Sequence, residues 1–333
     1  MKRLIQAIAA AIMAACSAPA GSVEVALVFS GRNGVTKAEA PPQEDRITDV
    51  NLFVYNSRGI LEEHRYIRKT GPPYNLKLLS GATYDIYACV NLGYDTGALT
   101  LPELMHARYS LAYPDEYSEG FPMSGALNGV TPSPGISTLS LPLERMMSLL
   151  TLSIDRTALD ADVGFAVEEV RIGGCPRSVQ LFGESGATGP EDIFPLGFCL
   201  EGDEIAPLNS AGISGQVSLF QLENCQPKLM EDRCSFIEIR AHYYSTEYRT
   251  RPGEYLIYRF YPGESPGDYR IRRNCRYAIT VRPEGSGLHG DSWRVDMSGL
   301  EENQSPSVSS TQETIIRRSS SDARSMELKQ TKR

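Results

Sequence analysis

Among 333 residues there is one tryptophan, and the four histidines, His64, His106, His242 and His289, lie far apart without a His-x-x-x-His or His-Glu spacing. That absence argues against a metal hydrolase. Cys-x-x-Cys pairs are missing too. Cys89, Cys175, Cys199, Cys225, Cys234 and Cys275 are scattered singly, which argues against a zinc or redox site and leaves buried thiols or structural disulfides. Basic residues are not in excess: the net charge is −8, a balance that disfavours nucleic acid as a partner. Beyond the first twenty residues no apolar run approaches the roughly 20 residues that a membrane helix needs. Helical periodicity is scarce.

What the chain does have begins at its first residues. Lys2 and Arg3 precede the small-residue apolar run Leu4 to Ala15, the layout of an export signal. Met13, Ala14 and Ala15 ahead of Cys16 look like the box at which a bacterial lipoprotein signal is cut, so residues 1–20 read as signal peptide and lipobox, with Cys16 the acylated residue. Ordinary signal cleavage after Ala18-Pro19-Ala20 is the rival reading and would release the chain without lipid. The difference is physical, since each buried methylene of an acyl chain contributes about 0.8 kcal/mol to membrane attachment.

From residue 22 onward apolar residues alternate with period two, the pattern of half-buried strands. In SVEVALVFS, Val23, Val25, Leu27 and Phe29 share one face. A polar, proline-containing loop, GRNGVTKAEAPPQEDR, follows. ITDVNLFVYNSRG predicts a hairpin, with Val50, Leu52 and Val54 on one face and NSRG as its turn. Tyr84, Ile86, Ala88 and Val90 line one side of another strand, ended by Gly93. TLPELMHARY, with Pro102 in its first turn, is the helix candidate. Between Gly135 and Asp155 the apolar phase switches from odd (Leu139, Leu141, Leu143) to even (Leu150, Leu152, Ile154), as when a strand passes from one sheet to another. The expected fold is all-β, with few short helices: one β-sandwich over 21–138, a second over 139–298, and a serine-rich tail over 299–333 expected to be disordered.

Candidate chemistry is sparse. HGDSW near residue 289 crowds His, Asp and Ser into neighbouring positions, from which a triad cannot easily form. GESGATGPED lacks the Lys-Ser/Thr of a phosphate loop and reads as a surface loop. Arg270, Arg272 and Arg276 alternate on the solvent face of the predicted strand YRIRRNCRYAITVRP. Arg273 falls instead on the apolar face with Tyr269, Ile271, Cys275 and Tyr277, and must be buried, paired or on a bulge. Tyr243, Tyr244, Tyr248, Tyr255, Tyr258 and Tyr261 are either strand packing or a glycan-stacking surface. Cys225 and Cys234 flank a polar loop and are the expected disulfide. No metal, cofactor or catalytic residue is indicated, and the chain reads as non-enzymatic.

DVNLFVYNSRG, YDIYACVNLG, FPMSG, LPLERMMSLLTLSI, YRFYPG and YRIRRNCRYAITV, in this order and spacing, resemble the fimbrillin superfamily of Bacteroidales type V pili, over most of residues 22–296. The resemblance implies two transthyretin-like β-sandwiches in tandem, export as a lipoprotein to the outer membrane, and assembly with other fimbrial subunits by strand exchange. It implies that Val23, Val25, Leu27 and Phe29 fill a groove in the first sandwich. In polymerising members the strand is removed by cleavage in the following loop, here at Arg32 or Arg46. If it is retained, the chain is a lipid-anchored anchor or minor subunit. The tail VSSTQETIIRR offers only Val308, Ile315 and Ile316 as a donor strand, which disfavours a stalk role and leaves anchor and tip open. The alternatives are a proteolytically matured structural subunit and a surface lipoprotein that binds a host protein or glycan.

Overall fold

The alternation seen in the sequence becomes a succession of strands from Ser22 onward among the described residues. The computed structural model describes residues 21–31, 46–68, 74–117, 120–135, 138–186, 188–247, 255–263, 267–289, 293–300, 307–310, 315–319 and 326–328. The protein is all-β, as expected, and its Cα packing separates two compact units.

The first unit takes in β1 (Ser22–Gly31), β2 (Asp49–Asn56), β3 (Leu61–Arg68), β4 (Tyr74–Leu79) and β5 (Tyr84–Val90). After the intervening β6 (Arg108–Ser110), it resumes with most of β7 (Met123–Val130) and β8 (Thr138–Arg145). Its strands run in the order β3-β2-β5-β7-β8-β1-β4. The predicted hairpin is β2 and β3, and Asn56 Oδ1 accepts the turn's Arg58 and Ile60 N–H groups at 3.0 and 3.2 Å. Gly59 supplies the left-handed φ of 71° that the turn requires. Where β7 passes β8, a Cβ on Gly125 would lie 2.0 Å from the Pro142 carbonyl oxygen, so only glycine allows that approach. Leu101–His106 forms the one short α-helix among the described residues, α1, with Pro102 in its first turn.

The second unit holds Glu103–Ser124 and the chain from Glu144 onward. The boundary expected at 138/139 falls at the start of β8, five residues before this change of unit. The reason is visible in the phase switch: Leu139, Leu141 and Leu143 belong to β8 of the first sheet, and Leu150, Leu152 and Ile154 to β9 (Met147–Ile154) of the second unit, so the change of sheet occurs at Met146.

The strands that follow are β10 (Gly164–Gly173), β11 (Cys175–Pro176), β12 (Ser178–Gln180), β13 (Ile193–Phe194), β14 (Phe198–Glu201), β15 (Val217–Leu222), β16 (Asn224–Gln226), β17 (Phe236–Tyr244), β18 (Tyr255–Phe260), β19 (Tyr269–Ile271), β20 (Arg276–Pro283) and β21 (Trp293–Leu300). The tail adds β22 (Ser307–Ser310), β23 (Ile315–Ser319) and β24 (Met326–Leu328). Two sheets, ordered β14-β10-β17-β18-β23-β24 and β15-β9-β20-β21-β22, enclose one core that includes Leu150, Leu152, Ile172, Leu219, Ile239, Tyr258, Phe260 and Tyr277.

The described residues of the tail form short strands. β22 pairs with β21, and β23 with β18. A strand laid on a sheet edge satisfies its backbone groups without needing many apolar side chains. The predicted strand over residues 269–283 is broken. β19 and β20 are separate, and Asn274 between them takes a left-handed φ of 56°, a conformation asparagine tolerates better than most residues.

Candidate functional site

The segment singled out by its alternation, β1, is an inner strand. It pairs antiparallel with β4, setting Val23 opposite Leu78, Val25 opposite Leu76 and Leu27 opposite Tyr74. On its other side it pairs parallel with β8, with Leu27 opposite Leu139 and Phe29 opposite Leu141. Directly opposed residues share a face, so all these apolar side chains point the same way. Val25 and Leu27 are fully buried, with Leu76, Leu78 and Leu141 beside them. The Phe29 ring lies 5.0 Å from that of Tyr74. Val23 and Phe29, at the two ends, are half-buried. Burying side chains of this size stabilises by about 1.5–3 kcal/mol each.

The topology adds a constraint that β1's own residues do not reveal. β4 is the last strand of its sheet and its only strand partner among the described residues is β1. Without β1, both β4 and β8 would present unpaired backbone along one edge, flanking a row of leucines. The sequence reading missed β4, although Tyr74, Leu76 and Leu78 alternate with exposed Asn75, Lys77 and Leu79. That alternation, in only six residues, was the available signal.

Arg46 is exposed and directly precedes Ile47. Cys16 and Arg32 lie outside the described residues.

Arg273 is buried and paired, one of the outcomes its position required. Its Nε and Nη2 donate to Glu223 Oε2 at 3.1 and 2.8 Å, and Nη2 also donates to the Gln180 carbonyl at 3.0 Å. Glu223 Oε2 accepts the Ser185 N–H at 2.8 Å as well. Ser185 belongs to the glycine-rich segment expected on the surface, but it is 2% exposed, because this ion pair draws the loop inward.

The expected bridge between Cys225 and Cys234 is not made, and both are free thiols. On β16 the side chain of Asn224 reaches Arg233 O (2.8 Å) and Ser235 Oγ (3.0 Å), the two neighbours of Cys234. The pleat turns Cys225 to the opposite face. Cys234 is instead held within its own loop, accepting from Met230 N at 3.2 Å and donating to Lys228 O at 3.4 Å.

Among the described residues these tyrosines do not form a platform. Tyr243, Tyr258 and Tyr261 are buried, and only Tyr244 is well exposed; Tyr248 lies outside the described residues. Among the described residues no group of three His, Cys, Asp or Glu side chains could hold a metal ion, and no helix is long and apolar enough to cross a membrane.

Solved structures share this fold. A candidate cell adhesion protein from Bacteroides eggerthii aligns with a TM-score of 0.57 at 11% identity, over 88% of this chain and 99% of that one. The tip fimbrial protein Mfa3 from Porphyromonas gingivalis, with a C-terminal truncation, aligns at 0.56 and 13%, over 84% and 99%. A fimbrilin (FimA) from Porphyromonas gingivalis W83 aligns at 0.52 and 13%, over 88% and 96%. The fold is thus that of the Bacteroidales fimbrillins, as the residue motifs implied. Residues 208–281 match a family described as a domain of unknown function (DUF4906). No curated protein matches the sequence.

Proposed function

We propose that this chain is a non-enzymatic, cell-surface fimbrial protein that joins other fimbrial subunits by strand exchange in its first unit. In this reading acyl chains on Cys16 hold it on the outer membrane. The observation that carries the reading is the position of β1, an inner strand that alone joins β4 to β8. Its withdrawal would open two strand edges at once. An incoming strand could satisfy both, while its alternate side chains took the places of Val25, Leu27 and Phe29. The fimbrial names of the similar structures point the same way.

Within an assembly the reading favours an anchor or minor subunit over a stalk subunit. A stalk subunit must donate an alternating apolar strand, and the tail has only Val308, Ile315 and Ile316 in its VSSTQETIIRR segment. The burial of Tyr243, Tyr258 and Tyr261 weighs against the glycan-binding alternative.

The test is to nick the purified chain at Arg46, separate the N-terminal fragment under mild denaturant, and add a synthetic peptide of residues 21–31. Saturable rebinding by the wild-type peptide, and none by a Leu27→Asp peptide, is expected. Failure of the wild-type peptide to rebind to a folded remainder sinks the strand-exchange reading. The mass of the mature N-terminus assigns the role: acylated Cys16 for an anchor, a start at Asn33 or Ile47 for a cleaved subunit, and a start at Gly21 against lipidation.

A further inference from the structure

The end at which β1 enters the first unit can be traced residue by residue. Ser22 stands opposite Leu79, and the Ser80 N–H donates to the Gly21 carbonyl at 2.9 Å. Beside them the Gly81 N–H donates to the Pro132 carbonyl at 3.0 Å, and the Thr83 and Thr131 hydroxyls lie 3.2 Å apart. Tyr84 carries the same end across to β2. Its hydroxyl accepts the Leu79 N–H at 3.1 Å, while its backbone pairs with Asn56, the residue that opens the β2–β3 turn. Residues 21–22, 56–60, 79–83 and 131–132 therefore gather at one end of the unit.

Leu79 is 49% exposed there and Ile60 54% exposed. Gly21 to Val23, Leu78 to Tyr84 and Gly125 to Leu143 contain no charged residue, in a chain of which 22% is charged. Of the carboxylates near these turns in sequence, Asp85 accepts the Gly129 N–H at 2.8 Å and Glu62 accepts from Asn56 Nδ2 at 3.0 Å. Arg58 is exposed within the β2–β3 turn itself. Single exposed aliphatic residues are ordinary on a protein surface. Here two of them stand beside uncharged turns at the end where the chain arrives from Cys16, and that position supplies their partner. The five residues Ser17 to Gly21 span at most about 18 Å when fully extended, so a lipid on Cys16 keeps this end within that distance of the bilayer.

We infer that this end of the first unit is a lipid-docking surface. Leu79 and Ile60 enter the boundary between headgroups and acyl chains, and Arg58 lies among the headgroup phosphates. The inference rests on the Cys16 anchor of the proposed function. The anchor makes docking intramolecular, so a small apolar contact suffices to hold one orientation.

The test places a tryptophan at single positions of the full mature chain: Leu79→Trp, Ile60→Trp and, as control, Tyr94→Trp. Tyr94 is 43% exposed and lies toward the other end of β2, where its carbonyl accepts from Asn51 Nδ2 at 2.9 Å. Each chain is reconstituted in vesicles of phosphatidylethanolamine and phosphatidylglycerol, with and without a brominated phospholipid, and the wild type corrects for Trp293, the one native tryptophan. A side chain docked at the headgroup boundary lies about 5–10 Å deep, so Leu79→Trp and Ile60→Trp should be quenched at least about twofold more than Tyr94→Trp. Adding Leu79→Asp to the Ile60→Trp chain should cut its quenching about twofold, with the unfolding midpoint unchanged. Equal quenching at the three positions, or none at Leu79→Trp and Ile60→Trp in a folded chain whose mass shows acyl groups on Cys16, overturns this inference and leaves the anchor standing. A mature chain without acyl groups overturns the anchor, and this inference with it.

Discussion

Arg273 and Glu223, fifty residues apart in sequence, meet in the interior with side chains 7% and 1% exposed. Both Arg273 bonds reach the same carboxylate oxygen, which also accepts the Ser185 N–H. A pair so fully removed from water is favourable only while complete, because either member left alone is an uncompensated buried charge. Arg273→Met is expected to destabilise the chain by about 3–5 kcal/mol. The double variant Arg273→Met, Glu223→Leu should recover part of that loss, though not all, because Ser185 N–H still loses its acceptor. Urea unfolding of the two variants checks this. A double variant no more stable than the single one would mean the arginine acts through packing alone.

The role of β1 in the first unit makes a graded prediction along its length. Leu27→Ala removes a fully buried side chain that faces Tyr74 and Leu139, and should cost about 2–5 kcal/mol. Glu24→Ala changes an exposed position on the opposite face of the same strand and should stay within about 0.5 kcal/mol. The measurement is proteolysis of the native chain, reading cleavage within residues 46–90. Equal susceptibility of the two variants would show that β1 is not part of the cooperative unit.

His64 gives the first unit a pH dependence with a definite sign. It stacks on Phe53, 4.8 Å between ring centres, and its Nε2 lies 3.6 Å from Asp95 Oδ1. Burial lowers its pKa below the usual 6.5, outweighing the opposing pull of Asp95. The unfolded chain therefore takes up this proton at a higher pH than the folded one does. The stability from neutral His64 is fully present above pH 6.5 and is lost as pH falls through the window down to the folded pKa. His64→Phe keeps an aromatic ring against Phe53 and removes the titration. Unfolding free energies compared between pH 7.5 and 5 should therefore fall more steeply for the wild type. A wild type that gains on the variant at acid pH would show that the Asp95 attraction dominates instead.

Much of this fold was legible because local pattern and tertiary role agree. The β2–β3 hairpin announced itself through Val50, Leu52, Val54 and the NSRG turn, β1 through Val23 to Phe29, and the change of sheet through a one-residue phase slip. Arg273 was legible as a misfit, although its partner Glu223 was not, since no local signal links positions that far apart. Other features depended on contacts that a linear reading does not contain. Asp49 and Asn51, polar residues on the far face of β2, are buried at 2% and 0% exposure. They hold the 91–100 loop through Leu92 N, Gly93 N, Thr96 N and Tyr94 O. Alternation alone assigns such residues to solvent. Likewise Leu149 and Phe220 look like noise in their strands until the register sets them side by side.

Cys225 shows how the pleat decides thiol chemistry where sequence spacing suggested a bridge. Facing away from Cys234, it is half-buried beside Glu223 and Glu184, and its pKa is pushed up to about 12, by burial first and by the two carboxylates after it. A thiol reacts through its thiolate. Its alkylation rate in the native chain should therefore keep climbing about tenfold per pH unit through pH 10, beyond the plateau of an ordinary thiol with a pKa of about 8.5. Glu184→Gln should raise the rate only modestly, since burial is the larger cause. In the unfolded chain without reductant, both Cys225 and Cys234 should take up label at ordinary rates. A peptide map with residues 225 and 234 joined would require β16 to turn its other face toward the loop, breaking the hydrogen bonds of Asn224 to Arg233 and Ser235.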